Sequence, residues 1–322
     1  MDQRLEQLKV WLNDCGIGYQ SIEPASADAS FRRYFRISDH GCTFIVMDAP
    51  PGKEDCKPFI YIANLFLQRG LNVPKILQQD LEQGFLLLSD LGTTVFLSEL
   101  NSDTVDDMYR VAMDALLQLQ QHENPDLPVY DESLLRTEMN LFTDWYLAKH
   151  LNIRLDNAQK DILEQNFALL VENALAQPQV CVHRDYHSRN LMINKDNPRQ
   201  PGVIDFQDAV IGAVTYDLVS LLKDCYIQWP REKVETWVHY FYSQALSRNI
   251  ISDVSFETFL RWFDLMGLQR HIKVAGIFSR LYHRDGKDGY LNDIPLTMEY
   301  IFEVLKIYPE FKPLQILLND IL

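Results

Sequence analysis

Apolar residues recur along the first ninety residues at spacings that change from helical to strand-like and back. Leu5, Leu8 and Leu12 fall on one helical face and Gly16 follows them as a stop signal, so the chain is expected to begin with a helix. Aromatic and β-branched runs then alternate with turn residues and predict strands. After the first helix, the elements expected in order are a hairpin over residues 31–37 and 43–47, a helix over 58–69, and strands over 75–79 and 84–88.

The remaining two thirds of the chain have a different pattern. Long amphipathic stretches rich in Leu, Ala, Gln and Glu predict helices over residues 95–122, 131–150 and 156–176. Short apolar runs separated by polar loops interrupt them in residues 180–206, and helices resume from residue 216. The pattern predicts an α+β protein with two domains, a β-rich one over 1–92 and a larger α-rich one over 93–322.

Composition and charge exclude several classes of protein. The 322 residues include 30 Lys and Arg against 45 Asp and Glu, a net charge of −15 that repels nucleic acid and anionic lipid. Five cysteines without a Cys-x-x-Cys pair argue against a disulfide framework or a zinc site, and favour a reducing compartment. No window approaches the roughly 18 apolar residues of a membrane span. We therefore expect a cytoplasmic monomer that binds neither nucleic acid nor membrane.

Three polar residues whose side chains could bind a metal or act in catalysis lie at the ends of the apolar runs in residues 180–206. Asp185 and Asn190 lie at the two ends of one polar loop, and Asp205 ends the run after a Pro-Gly turn. Pairing of the strands on either side of that turn is expected to bring the three side chains together. Carboxylate and amide oxygens are ligands that Mg²⁺ accepts, with positions left for water and phosphate oxygens. The spacing predicts a phosphoryl-transfer site, although Asp and Asn in loops also commonly cap turns.

These residues carry a resemblance to a known family. His-Arg-Asp-x-x-x-x-Asn followed by Ile-Asp-Phe resembles the catalytic loop and metal-binding motif of protein-kinase-like phosphotransferases, in the branch with aminoglycoside and choline kinases. The resemblance implies a bilobal fold that binds ATP and Mg²⁺. It implies that Asp185 orients the attacking hydroxyl, that His183 braces the loop, and that Asn190 and Asp205 hold Mg²⁺.

The N-terminal part departs from the glycine-rich pattern of this family. Residues 27–34 carry alanines and an arginine where the family has glycines, and Met47 stands where a strand lysine normally binds the α- and β-phosphates. By the resemblance, nearby arginines supply the positive charge and a hinge strand binds adenine. Exposed hairpin arginines and an ordinary buried strand explain the same residues. The residues expected to bind the nucleotide are Ala29, Ser30, Arg32, Arg33, Arg36, Leu88 and Asp90.

The segment after Asp205 favours a small-molecule acceptor. Protein kinases carry a long activation segment there, whereas here the next helix begins near Asp217. Residues 265–284 contain no Asp or Glu, and helical spacing places their basic side chains on one face. Such a face suits a carboxylate, a sugar or a phosphate, and a solvated helix face is an equally good interpretation. The residues expected to bind the acceptor are His187, Gln207, Asp217, Arg270 and Arg280.

Longer stretches narrow the resemblance to one group. The runs that carry it are RRYFR, VMDAPPGKEDCKPF, HRDYHSRN, IDFQDAVIGAVTYDLVSLL and LQRHIKVAGIFSRLYHRDGK. They resemble bacterial anomeric sugar kinases, which phosphorylate N-acetylmuramate and N-acetylglucosamine at C1 in cell-wall recycling. This implies an amino-sugar acceptor, and the lactyl carboxylate of N-acetylmuramate would suit the basic face. Two alternatives stay open: a kinase of choline, ethanolamine, homoserine or an aminoglycoside on the same fold, and a non-catalytic nucleotide-binding pseudokinase suggested by Met47.

Overall fold

The computed structural model describes residues 2–27, 31–123 and 126–322. Two compact units are found: residues 1–96 with 190–208, and residues 97–189 with 209–322. This grouping differs from the expected domains 1–92 and 93–322 because segment 190–208 hydrogen-bonds to the N-terminal part of the chain. Val203 N donates to Asn72 O at 2.8 Å, and Ile193 N donates to Thr94 O at 2.8 Å.

An antiparallel sheet of five strands forms the centre of the first unit, in the order β1-β2-β3-β5-β4. The predicted hairpin and the predicted strands near 75–79 and 84–88 are present as β2 to β5. β1 was not predicted, because its sequence SIEPASA lacks a run of β-branched residues; its proline is tolerated at a bulge on the sheet edge. The strands are β1 (Ser21–Ala27), β2 (Arg33–Asp39), β3 (Cys42–Asp48), β4 (Ile76–Asp80) and β5 (Phe85–Ser89).

Two helices and a short strand pair complete the first unit. α1 (Gln3–Asp14) begins at Asp2, whose side chain accepts from Leu5 N, and it packs Leu8 and Trp11 into the core against β2, β3 and β5. α2 (Cys56–Gln68) is the second helix. β7 (Leu191–Met192) pairs antiparallel with β8 (Gly202–Val203), and this pair places the candidate metal ligands.

Helices dominate the second unit, as the amphipathic stretches predict. They are α3 (Phe96–Glu99), which begins at the end of the first unit, α4 (Val105–Gln120), α5 (Glu132–Leu141), α6 (Asn157–Ala176), α7 (Tyr216–Leu222), α8 (Arg231–Ser247), α9 (Phe256–Asp285), α10 (Ile294–Ile307) and α11 (Lys312–Ile321). A π-helix, Phe142–His150, continues α5, and 3₁₀ turns span Asp288–Asp293 and Pro309–Phe311. β6 (Gln179–Val182) pairs antiparallel with β9 (Val210–Ala213). No helix in the described ranges has the length and apolar character needed to cross a bilayer.

The 30-residue helix α9 forms the centre of this unit. It approaches the junction between α5 and the π-helix very closely at Gly276. A Cβ atom at Gly276 would lie 2.3 Å from the carbonyl carbon of Leu141 and 2.5 Å from the backbone nitrogen of Phe142. Only glycine permits this spacing of the two backbones.

Candidate active site

The predicted catalytic loop follows β6. Its backbone is hydrogen-bonded to the side chain of Asp217, the second residue of α7. The Asp217 carboxylate accepts hydrogen bonds from the backbone nitrogens of His183, at 2.6 Å, and Arg184, at 3.0 Å. Burial raises the pKa of Asp217 to about 7, although these two bonds act in the opposite direction. The sequence predicts that Asp217 binds the acceptor; the structure instead buries it completely beneath the loop. We therefore reassign Asp217 to holding the loop backbone.

A second buried carboxylate, Asp224, holds the other end of the loop. Its side chain accepts from the backbone nitrogen of Ser188 at 2.9 Å, from the Ser188 hydroxyl, and from Tyr226 N at 3.1 Å. Asp217 is on α7, and Asp224 lies in the non-helical segment that directly follows this helix. The backbone on either side of Asp185 is thus fixed to α7 and to the residues just after it.

Asp185 lies half-buried between these two attachments. Its backbone nitrogen donates to Nδ1 of His183 at 3.2 Å, and the His183 ring packs edge-on against Tyr186. Burial would raise the pKa of Asp185, but nearby positive charges, that of Lys273 foremost and that of Arg270 on the same helix, outweigh burial and lower the pKa. Asp185 is therefore a carboxylate near neutral pH. The catalytic roles of Asp185 and His183 stay predictions.

Asn190 and Asp205 lie together in the first unit, at the same end of the β7–β8 pair. Ile204 N donates to the carbonyl of Asn190 at 3.1 Å, and Asn190 Nδ2 donates to Asp205 Oδ2 at 3.3 Å. Asp205 has a φ of 65°, a left-handed conformation that is uncommon for residues other than glycine. The strand pairing expected from the sequence is what brings these two side chains together.

Gln207 also belongs to this cluster. Its Nε2 donates to Asp205 Oδ1 at 2.8 Å, while its Oε1 is buried and has no hydrogen-bond partner in the part of the chain that the structure describes. The sequence predicts that Gln207 binds the acceptor; its observed contact is with the carboxylate expected to hold the metal. One carboxylate, one side-chain amide oxygen and a nearby unpartnered oxygen are too few for an all-protein cage. They suit Mg²⁺, which keeps several waters and phosphate oxygens.

The arginines expected to bind phosphate form ion pairs in the first unit. Arg32 lies 3.1 Å from a carboxylate oxygen of Glu54. Arg33 donates to Asp48, which is fully buried, at 2.5 and 3.0 Å, and also pairs with Asp2. These contacts tie β2 to β3 and to the start of α1. Ala29 and Ser30 lie outside the described residues.

The predicted hinge residues are on and just beyond β5. Leu88 is buried and pairs with Ile45 of β3, and Asp90 accepts from Arg36 at 2.6 and 3.1 Å. Arg36 donates further to the carbonyl of Gly92 at 2.9 Å. Arg36 therefore fastens the chain after β5 to the sheet. Nucleotide contacts by these residues stay predictions.

The basic residues of α9 are less exposed than a solvated stripe would be. Arg270 is 4% exposed and lies 5.8 Å from the centre of the Tyr216 ring, and its Nε has no hydrogen-bond partner within residues 2–27, 31–123 and 126–322. Lys273 is 6% exposed. Arg280 is half-buried, and burial together with Arg284 lowers its pKa. The interpretation of a solvated helix face is therefore wrong for Arg270 and Lys273.

His187 is half-buried, and its ring meets the Tyr226 ring edge-on at 5.4 Å. Burial lowers the pKa of His187, so the neutral form is favoured. The guanidinium of Arg189 lies 3.5 Å from the centre of the same Tyr226 ring. Residue Tyr226 thus joins the two ends of the segment 187–189 through aromatic and cation–π contacts.

The sequence analysis does not single out two buried charged residues near the catalytic loop, Asp224 and Glu138. A second aspartate shortly after Asp217 is visible in the sequence, and this signal could have identified Asp224. Glu138 looks like an ordinary polar position of an amphipathic helix, and its role depends on contacts distant in sequence. Lys273 belongs to the predicted basic face of residues 265–284, but its ion pair with Glu138 has no local signal in the sequence.

Comparison with known proteins is consistent with this geometry. The model of the phosphotransferase enzyme family matches residues 21–249. N-acetylmuramate/N-acetylglucosamine kinases of Pseudomonas putida and Pseudomonas aeruginosa are each 46% identical to the chain, over 99% of its length and 97% of theirs.

Solved structures share the fold at low sequence identity. An ADP-bound aminoglycoside phosphotransferase covers 94% of the chain and 97% of its own, with a TM-score of 0.60 and 16% identity. Choline kinase LicA from Streptococcus pneumoniae covers 92% of the chain and 99% of its own, with a TM-score of 0.65 and 12% identity. The α+β, protein-kinase-like fold and the family resemblance predicted from the motifs are confirmed.

Proposed function

The chain belongs to the phosphotransferase enzyme family, and from that premise we propose that it transfers the γ-phosphoryl group of ATP to an amino sugar. The acceptor is the anomeric C1 hydroxyl of N-acetylmuramate or N-acetylglucosamine. The names of the two Pseudomonas relatives support this substrate class, since their similarity extends over nearly the whole chain. We infer further that a monomer carries out the reaction in the cytoplasm, where ATP is available.

The observation that carries the proposal is the fixed geometry of the catalytic loop. Two buried carboxylates, Asp217 and Asp224, hold its backbone on either side of Asp185. The half-buried Asp185 side chain stays ionised among positive groups, as a proton acceptor must. A scaffold that only binds nucleotide has no need of such an arrangement.

Asn190 and Asp205 would hold Mg²⁺, as their oxygen donors and the neighbouring Gln207 suit it. When bound, the ion would neutralise charge on the ATP phosphates. Asp185 orients the C1 hydroxyl and accepts its proton as the oxygen attacks the γ-phosphorus. The bond from that phosphorus to the bridging oxygen breaks, and ADP leaves with the electron pair. Most of the acceleration comes from positioning and charge neutralisation.

Arg270 and Arg280 of α9 supply the preference for a carboxylated sugar in this proposal. Arg270 is buried, its guanidinium Nε has no hydrogen-bond partner among the described residues, and it lies close enough to Asp185 to affect the pKa of that residue. Within the same described residues, the buried Nε of Arg280 also has no partner. Guanidinium groups match the geometry of a carboxylate such as the lactyl group of N-acetylmuramate. Replacing either arginine is expected to weaken the binding of N-acetylmuramate more than the binding of N-acetylglucosamine.

The test is to incubate the protein with MgATP and N-acetylmuramate and to identify the phosphorylated carbon by NMR. Phosphate on C1, with one ADP formed per sugar phosphate, is the expected result. Choline, homoserine and an aminoglycoside serve as competing acceptors in the same assay, and Asp185→Asn is the matched inactive variant. Faster turnover of another acceptor would identify a different kinase. Nucleotide binding without turnover of any acceptor would instead support the pseudokinase.

A further inference from the structure

A buried carboxylate on α5, Glu138, joins two cations that come from different parts of the second unit. Its Oε1 accepts from the guanidinium of Arg184, and its Oε2 lies 2.9 Å from Nζ of Lys273. The Tyr130 hydroxyl also hydrogen-bonds to Glu138. Glu138 is 7% exposed and Lys273 is 6% exposed. A carboxylate of the helical scaffold therefore contacts the residue that immediately precedes Asp185.

These contacts form a closed ring that passes through Arg184, the residue before Asp185. Lys273 Nζ donates to the Tyr216 hydroxyl at 2.9 Å. Tyr216 is followed in the chain by Asp217, whose carboxylate accepts from the backbone nitrogen of Arg184 at 3.0 Å. The side chain of Arg184 returns to Glu138 and completes the ring. Three elements, α5, α7 and α9, thus act together on a single residue of the loop.

The ring holds Arg184 in a conformation that it would not adopt by itself. Its φ is 78°, in the left-handed region that residues with a Cβ rarely populate. Such conformations persist only where the surrounding structure imposes them, and they are concentrated at active sites. Buried ion pairs add little net stability compared with apolar side chains of similar size. Stability is therefore a poor reason for placing Glu138 and Lys273 here, whereas orientation of the loop is a good one.

We propose that Glu138 and Lys273 are positioning residues that fix the backbone of Arg184 and thereby direct the Asp185 side chain toward the acceptor hydroxyl. This inference rests on the role of Asp185 in the proposed function. The charge of Lys273 has a second effect in the same direction, since it lowers the pKa of Asp185. Gly276, one turn after Lys273 on α9, keeps that helix close enough to α5 for the pair to form.

The experiment measures kcat and the KM values for ATP and N-acetylmuramate in Glu138→Gln, Lys273→Met and the double variant. Each single variant is expected to lose at least tenfold in kcat with both KM values within twofold of wild type. The kcat of the double variant should equal that of the more impaired single variant, because either change alone already opens the ring. Lys273→Arg keeps the charge and should retain more kcat than Lys273→Met.

The matched control is Asp264→Asn, which removes a buried carboxylate on α9, the helix that carries Lys273. Asp264 pairs with Arg231 at 2.7 Å and with Lys223 at 3.4 Å. The Asp264→Asn variant should unfold at a lower urea midpoint, while its kcat per folded molecule stays unchanged. Rates are normalised to folded protein by near-UV circular dichroism, and if Glu138→Gln does not fold, the two Lys273 variants decide the outcome.

Wild-type kcat in both single variants would overturn the inference. A rise in the KM for the sugar at unchanged kcat would also overturn it, because it would place Lys273 in direct contact with substrate. Asp185→Asn separates this failure from failure of the proposed function. If Asp185→Asn retains wild-type turnover, the role of Asp185 itself is refuted; if it is inactive while the ring variants are fully active, only the ring is refuted.

Discussion

Replacing Gly276 with alanine is expected to destabilise the second unit, because the added methyl group meets backbone rather than side chain. The Cβ would lie 2.3 Å from Leu141 C, 2.5 Å from Phe142 N and 2.6 Å from Leu141 O. A rotamer change cannot relieve contacts with a neighbouring backbone. The helix α9 would have to move away from α5 by roughly 1 Å to restore ordinary van der Waals separation.

The same helix contains a matched control, Gly267. A Cβ there would lie 3.7 Å from Val219 Cγ1 and 3.8 Å from Lys223 Cδ, which are ordinary contacts. Alanine in place of glycine inside a helix adds about 1 kcal/mol of stability at either position. Overpacking subtracts about 1–3 kcal/mol, and the upper end applies where backbone must move. We expect Gly267→Ala to gain about 1 kcal/mol and Gly276→Ala to lose about 2 kcal/mol.

Urea unfolding followed by far-UV circular dichroism measures both variants. With an m-value of about 3 kcal/mol/M, the two midpoints should differ by roughly 1 M. Gly276→Ala should also reduce kcat, because the movement of α9 separates Lys273 from Glu138. A midpoint for Gly276→Ala at or above that of Gly267→Ala would refute the reasoning, since it would mean that the two helices have room for the methyl group.

Three further predictions concern the loop, the sheet and the metal ligands. Asp224→Asn places an amide against the Ser188 N–H. This variant should lose at least tenfold in kcat and about 1–3 kcal/mol of stability. Wild-type kinetics would contradict this expectation. Burial raises the pKa of Asp90, but Arg36 lowers it overall below 3.8, so the pair stabilises the protein above about pH 4 and less as the pH falls further. Asp90→Asn should therefore flatten the acid-unfolding curve below pH 4; an unchanged curve would refute the pairing argument. Gln207→Ala should raise the Mg²⁺ concentration for half-maximal activity several-fold, and an unchanged requirement would rule out a role near the metal.

Local signals predicted most of the secondary structure, because each depends on residues close in sequence. The β2–β3 hairpin follows from two strand-forming runs around a turn, and the long helices follow from their apolar periodicity. β1 escaped prediction because its sequence is weakly strand-forming and it is placed by pairing with β2. The π-helix Phe142–His150 continues a helical pattern that has no separate signature.

The candidate site divides in the same way. Asp185, Asn190 and Asp205 could be identified from their motif, because the spacing of loop and strands is fixed along the chain. Their surroundings could not be identified, because these depend on which distant side chains share a buried space. The net charge of the molecule is −15, yet the helix packed near the loop buries two cations.

Short-range spacing and residue type were enough to predict the class of chemistry, most of the helices and strands, and the residues of the catalytic motif. Which charges are buried, and what they contact, emerged only from the folded chain. In the folded protein, Asp217 and Asp224 accept hydrogen bonds from the loop backbone, and Glu138 forms an ion pair with Lys273. The energy of a buried ionic group depends on its partners and on the exclusion of water, and both are provided by segments far apart along the chain.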